Sequence, residues 1–503
     1  MKQKTFLSIL FLCLVVAAGI QAAIYTSGFY SISSDESART LDAFRWYSNK
    51  TSFTQVWLPM HSVIIGCSLE ISRDLVTTPR LVSLFFSLLS IAGLVLLTQQ
   101  LFKNKFVTLS TSLLYTFLPE RIILSAVPLA EIIFICFVIY GSAFLMIWIS
   151  YKKSPGLLAA ALFWAVSGTL RYEGWTFSAS LLIFTFYEYS RRNLSLNYLL
   201  FISFLLISFP LYWILLSFVQ NGNPFEFFSV TSNMFKAKFG DSFSRLIYFN
   251  VLWQFLEQNY NSYNIIGLMG LSYFFRKEKL SAWIIVCFSG LLLMGIISAL
   301  GKALPSHNFW RTSAVWTILL IPFTSYLLYK LSHYFILIKP IKLKLSLIFA
   351  LILLTQFIII SSLKIAKMNA SYCLTEKDLN IGYSLNKILS AGVNSNTGRN
   401  QKVFVLIEKN RSFDHLDISL STNLPECFLY FDKPGSKLPP SSPEIIIQHP
   451  YPDQIKKFNI SYLLFKSEDN KKYLSGQKGI KVLCKYGDWV LYKVDKPHFN
   501  ASL

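Results

Sequence analysis

Eleven stretches of mainly apolar residues, most of them near the length a helix needs to cross a bilayer's hydrocarbon core, fill the first 363 positions of this 503-residue chain. They run over 5–24, 79–101, 106–118, 128–150, 157–170, 174–190, 197–219, 263–275, 281–300, 311–329 and 345–363. In lipid a backbone satisfies its own N–H and C=O groups only as a helix or a closed barrel, and stretches of this length specify helices. Three are short and could tilt, break or dip in only partway. The first follows Lys2 and Lys4 and is shaped like a signal peptide, but Gln21-Ala22-Ala23 is a weak cleavage site and further spans follow, so it reads as a retained anchor. At 53% hydrophobic residues the chain is too apolar to be a soluble enzyme. The expected fold class is a polytopic α-helical membrane protein of about eleven spans.

Charge sets an expected orientation. Of the net charge of +21, +14 gathers in alternate loops, at Lys2/Lys4, Lys103/Lys105, Lys152/Lys153, Arg191/Arg192, Arg276/Lys277/Lys279 and Lys330/Lys339/Lys342/Lys344, where Glu278 is the one acid. By the positive-inside rule these loops and the N-terminus are cytoplasmic. Residue 35, the loop 220–262, the segment 301–311 and the C-terminal region are then external. The basic balance reports topology, and nucleic acid is not an expected partner. Residues 364–503 change character: apolar runs shorten to strand length in Val403–Ile407, Glu444–Ile447, Tyr462–Phe465 and Trp489–Tyr492, and 376–391 has a helical apolar face. The expected domains are 1–363, membrane-embedded, and 364–503, a soluble external α/β domain.

Several chemistries lose their footing in the sequence. The cysteines at 13, 67, 136, 287, 373, 427 and 484 show no metal or disulfide spacing, and the six histidines are scattered. No nucleotide-binding, metalloprotease or serine-hydrolase motif occurs.

What stands out is a set of ionisable residues near the outer ends of spans, where burial is costly and function is the default reading. Asp35 and Glu36 are adjacent carboxylates after the first span; each raises the other's pKa, which suits one to general-base work, and the pair could instead hold a divalent cation. Arg39 follows in a stretch whose Leu41, Phe44, Trp46 and Tyr47 suggest an amphipathic helix on the membrane surface. His61 lies beyond Trp57-Leu58-Pro59, Arg80 begins the second span, and Glu131 sits about one turn into the fourth. Arg171 and Glu173 join two spans with almost no loop. His307 and Arg311, four residues apart, would face one point on a helix and could hold a lipid phosphate. Each has a plainer alternative: solvation, headgroup anchoring, packing, or pairing of Arg171 with Glu173.

In their order along the chain these elements (Asp35-Glu36 with Arg39, Trp57-Leu58-Pro59, Arg80-Leu81-Val82-Ser83, Pro128-Leu129-Ala130-Glu131, Leu170-Arg171-Tyr172-Glu173 and a late Arg311) resemble the GT-C glycosyltransferases. The likeness is to the branch of protein O-mannosyltransferases and lipid A aminoarabinose transferases, covers roughly 1–330, and extends to the appended external domain of bacterial members. It implies a sugar moved from a polyprenyl-phosphate donor to a lipid, glycan or protein acceptor at the outer face of a bacterial inner membrane, the endoplasmic reticulum being the alternative. It implies Asp35 as catalytic base with Glu36 beside it, and Arg80, His307 and Arg311 for the donor phosphate. Arg39, His61, Glu131, Arg171 and Glu173 would bind substrate, and no cofactor is certain. Arg39 stands four residues after Asp35, where the aminoarabinose-transferring members have Arg three after the acid. A flippase for lipid-linked saccharide predicts midplane charges and a repeat of the spans; a non-catalytic envelope scaffold predicts that the named charges are dispensable.

Overall fold

The computed structural model describes residues 3–30, 32–49, 57–152, 154–230, 262–277, 281–300, 309–334, 376–394, 404–409, 414–431, 446–447, 460–475, 477 and 479–495, with isolated positions 355, 359, 363 and 455. The expected span at 345–363 falls almost wholly outside these, as do His307 and most of the loop 220–262.

The other ten apolar stretches fall on helices. These are α1 (Gln3–Thr26), α4 (Thr77–Phe102), α5 (Lys105–Thr116), α7 (Ala130–Tyr151), α8 (Ser154–Leu170), α9 (Glu173–Ser190), α10 (Leu196–Asn221), α11 (Ser262–Lys277), α12 (Ser281–Leu300) and α13 (Phe309–Tyr334). Among the described residues α4, α7, α10 and the Ala314–Leu331 part of α13 are long and apolar enough to cross a membrane, and shorter apolar helices accompany them. This is the make-up of a multi-pass membrane protein. Three shorter helices stand between: α2 (Asp35–Asn49), α3 (Met60–Ser68) and α6 (Pro119–Ala126).

The chain forms two compact units that do not follow a linear division. A helical unit comprises Met1–Ser27, Ser52–Ile64 and Arg80–Lys367; a sheet unit comprises Gly28–Thr51, Ile65–Pro79 and Met368–Leu503. Two excursions from the helical part, one of them carrying α2, therefore group with the C-terminal residues.

In the helical unit α7 is buried on nearly all sides, which its all-round apolar sequence requires. Gly141 makes room for the Trp164 ring of α8, which a Cβ there would overlap, and the Trp164 indole donates to Val138 O at 3.2 Å. From α12 the Trp283 indole donates to Ser142 O at 2.9 Å. By contrast α10 exposes Leu200, Phe204, Leu211, Leu215 and Phe218, a surface suited to acyl chains rather than water.

The sheet unit holds α14 (Glu376–Asn394), β1 (Phe404–Glu408), α15 (Asp414–Ser421), β2 (Phe428–Phe431), β3 (Ile446–Ile447), β4 (Ile460–Phe465), α16 (Glu468–Ser475), β5 (Ile480–Tyr486) and β6 (Trp489–Val494). Its strands are ordered β3-β2-β1-β4-β6-β5; the first four are parallel and the β5–β6 hairpin is antiparallel. Val405 and Ile407 of β1 point to one face and Leu406 to the other, each fully buried, because successive strand residues alternate and a central parallel strand is covered on both sides. The first face packs against α14, α15 and also Leu41 and Phe44 of α2. Leu41 and Phe44 of the α2 face expected to lie on lipid are thus covered by protein, where they are worth more in a shared core than half-immersed in headgroups.

Helices α8 and α9 are joined by a turn tight enough to set their backbones in contact. A Cβ on Gly174 would overlap Gly168 N and lie 2.5 Å from Ser167 C, and backbone cannot move aside as a side chain can. Gly174→Ala should therefore lower the thermal unfolding midpoint in detergent sharply or abolish the folded protein, whereas Gly19→Ala, where nothing lies within 4 Å, should leave it unchanged.

Candidate functional site

Four of the ionisable residues singled out in the sequence meet inside the helical unit. Glu131 Oε1 accepts from Arg311 Nε at 2.8 Å and Nη2 at 2.6 Å, and from Arg171 Nη1 at 2.7 Å. Arg171 also donates to Glu173 Oε1 through Nη2 at 2.5 Å and Nε at 3.1 Å. All four side chains are at most 9% exposed. Arg171 and Glu173 do pair, as the plainer alternative expects, but Arg171 at the same time reaches the carboxylate that holds Arg311.

Local structure explains the placement. Glu131 and Glu173 stand in the first turns of α7 and α9, where the unpaired N–H groups and the helix dipole favour a carboxylate. Arg311 stands in the first turn of α13, where the dipole disfavours a cation, so a buried arginine there needs an anion beside it. Glu131 supplies it. Three helix N-termini and two guanidinium groups thus gather around two carboxylates, a cluster whose formal charges balance.

Three further nominated residues belong to this unit. Arg80, in the first turn of α4, and His61, in α3, are both buried. His307 lies outside the described residues. An unforeseen buried cation is Arg121 of α6, fully enclosed, donating to Tyr115 O at 3.1 Å, Thr116 O at 2.7 Å and Ser87 Oγ at 2.9 Å. It caps the carbonyl end of α5, where a cation is favoured, and so has a structural role that its place between two apolar stretches could have signalled.

Asp35, Glu36 and Arg39 lie in the sheet unit, on α2. The two acids differ in role. Glu36 is 1% exposed and folds back on its own loop, accepting from Ile32 N at 2.9 Å through one oxygen and from Ser33 N at 3.1 Å and Ser33 Oγ at 2.7 Å through the other. Asp35 is the half-buried member. With both Glu36 oxygens committed to those donors, the pair does not present two carboxylates to one cation, and no group of three His, Cys, Asp or Glu converges among the described residues. The fit to a divalent metal is poor. Arg39 is buried on the same helix.

In the same turn as Asp35, the Ser37 hydroxyl hydrogen-bonds the Asp417 carboxyl of α15. Burial pushes the Asp417 carboxyl up to about 8, the neighbouring Asp378, Asp414 and Glu36 add to the shift, and the Ser37 bond opposes it. His415 of the same helix is pushed down to about 3 by burial and by Lys409, and packs edge-on to Tyr430 at 5.8 Å. Neither residue carried a motif in the sequence.

No protein-family model and no curated protein matches the sequence. Solved structures do match. The oligosaccharyltransferase of Archaeoglobus fulgidus in the apo form aligns with 94% of this chain and 71% of its own at 11% identity, TM-score 0.54. The same organism's AglB, in complex with an inhibitory peptide and a dolichol-phosphate, aligns over 93% and 70% at 12% identity, TM-score 0.52. ArnT from Cupriavidus metallidurans bound to undecaprenyl phosphate aligns over 99% and 98% at 13% identity, TM-score 0.52. At this identity the likeness shows that the chain shares its fold with these solved structures.

Removing the hub charge with Glu131→Gln leaves two buried arginines sharing one carboxylate; breaking a buried pair costs about 3–5 kcal/mol, and the thermal midpoint in detergent should fall by several degrees. The Asp417 carboxyl binds its proton more tightly folded than unfolded, so its contribution is fully present below the ordinary value of 3.8 and is lost progressively as pH rises from there to about 8. The midpoint should decline over that range, and Asp417→Asn should flatten the decline.

Proposed function

We propose that the protein is an integral-membrane glycosyltransferase that moves a sugar from a polyprenyl-phosphate donor to an acceptor hydroxyl. The observation that carries this reading is the Glu131–Arg171–Arg311–Glu173 network. Buried ionic clusters contribute little net stability compared with apolar packing, so a cluster built from three chain segments in a lipid-facing protein calls for a chemical use. The shared fold supports it: two structures of this fold carry a polyprenyl phosphate, dolichol-phosphate in one and undecaprenyl phosphate in the other.

A polyprenyl phosphate is already a good leaving group, so the protein's tasks are orientation, proton removal and charge neutralisation. In the proposed step the acceptor oxygen attacks the anomeric carbon in line, and its proton passes to the Asp35 carboxylate. The new glycosidic C–O bond forms as the bond to the phosphate oxygen breaks. The polyprenyl phosphate leaves with the electron pair, and the anomeric centre inverts. Arg311, His307 and Arg80 neutralise the phosphate. Glu131 and Arg171 fix the Arg311 guanidinium, so Glu131 and Glu173 act by orienting donors, with Arg39 and His61 remaining candidates for acceptor or sugar contacts. Eleven spans, a cytoplasmic N-terminus, a periplasmic C-terminal region and residence in a bacterial inner membrane complete the proposal, drawn from the loop charges.

The test is sugar transfer by purified protein in nanodiscs, supplied with a panel of undecaprenyl-phosphate-linked sugars. At least one donor should yield a new glycosidic bond, and Asp35→Asn should reduce the rate by roughly 10²–10⁴-fold, the range for a lost general base. An unchanged rate in Asp35→Asn removes the base assignment; donor crossing the bilayer with no new bond replaces transfer by transport.

A further inference from the structure

The helix assigned the base belongs to the same compact unit as the C-terminal residues, and its attachment there is specific. From these contacts we infer that the C-terminal α/β unit positions the base: α15 holds α2 through the Asp417–Ser37 hydrogen bond, making Asp417 and Ser37 positioning residues for Asp35. The inference rests on the reading of Asp35 as base.

Four observations carry it. Ser37 lies two residues beyond Asp35 in the same helical turn, so a restraint on its side chain fixes the rotation of that turn. Its partner Asp417 is itself immobilised on a buried helix: Ser421 Oγ donates to Asp417 O at 2.9 Å, and α15 approaches α14 so closely at Gly382 that a Cβ there would overlap Ser421. Further along α2, Leu41 and Phe44 enter the core formed with Leu416, Ile418 and Leu420. The second excursion is tied into the same unit, by Asn423 Oδ1 accepting from Leu75 N at 2.8 Å and by the Arg73–Glu426 pair at 2.6 Å. Ordinary domain packing needs only the apolar contacts. A buried carboxyl in hydrogen bond with a serine adds angular definition at the end of the helix where the acid stands, and a catalytic group displaced by about 1 Å can lose about 10²-fold in rate.

The charge pattern matches that use. Burial, with Asp378, Asp414 and Glu36 adding to it, raises the Asp417 carboxyl to about 8, and an amide of the same shape can keep a hydrogen bond to Ser37.

The experiment measures transfer kinetics and amide exchange of α2 in the full-length protein for Ser37→Ala, Asp417→Ala and Asp417→Asn. Ser37→Ala removes one hydroxyl and leaves the core intact, so it serves even if Asp417→Ala fails to fold. Both alanine variants should lower kcat by roughly ten- to a hundredfold with KM for the donor within about twofold, and should speed exchange across residues 35–41. Asp417→Asn should restore kcat and exchange to near wild type. Undiminished kcat in folded Ser37→Ala, or exchange in α2 unchanged in it, overturns the inference. Asp35→Asn run alongside separates the two ideas: wild-type transfer in that variant overturns the base and with it the catalytic purpose of the hold, while the exchange data still decide whether Asp417 fixes α2.

Discussion

A carboxylate or guanidinium taken out of water must be compensated locally, and in the helical unit that demand falls on Glu131. One of its oxygens takes both arginines, so the junction of α8 with α9 and the start of α13 are tied to the start of α7 by charge. The helices that meet there are apolar on most sides and would otherwise slide or rotate with little resistance, because lipid offers no hydrophobic drive for any one packing. Close backbone approach at Gly174 and the Trp164 ring seated on Gly141 then fix spacing, while the ion network fixes register.

The sheet unit solves a different problem. A fifteen-residue helix made largely of polar and charged residues has little means of fixing itself. Burying Leu41 and Phe44 against α15 supplies the energy, and the Ser37–Asp417 bond supplies direction. Glu36 contributes by tying down the loop that enters α2, its two oxygens closing on Ile32 and Ser33. Of two adjacent acids, one is spent on structure so that the other is held in place.

Much of this was legible in the sequence because the bilayer leaves so few choices. Every expected span within the described residues falls on a helix, and Glu131, Arg171, Glu173 and Arg311 stood out since an ionisable group at the end of an apolar run has no cheap explanation. The strands β1, β3, β4 and β6 were visible as short apolar runs, whereas β5 was hidden by its exposed edge position, where Lys481 and Lys485 interrupt the pattern. Glu36 as a loop-closing residue, Arg121 as a cap of α5 and Asp417 as the partner of Ser37 were not legible. Each depends on a group close in space but either turned the unexpected way or, for Ser37 and Asp417, 380 residues distant in the chain. No local pattern reports such a pairing.

The grouping of Gly28–Thr51 with Met368–Leu503 bears on how such a chain can change its substrate. Arg171 and Arg311 stand at the ends of apolar helices, which pack in a narrow set of ways. Under the proposed reading of Asp35 as base, the acid belongs instead to the α/β unit, and surface loops tolerate insertion and substitution at little cost. On that reading a change of acceptor can be made within the sheet unit. The linear order of the chain conceals this, since the acid sits among the first forty residues and its support is assembled from the last hundred and thirty or so.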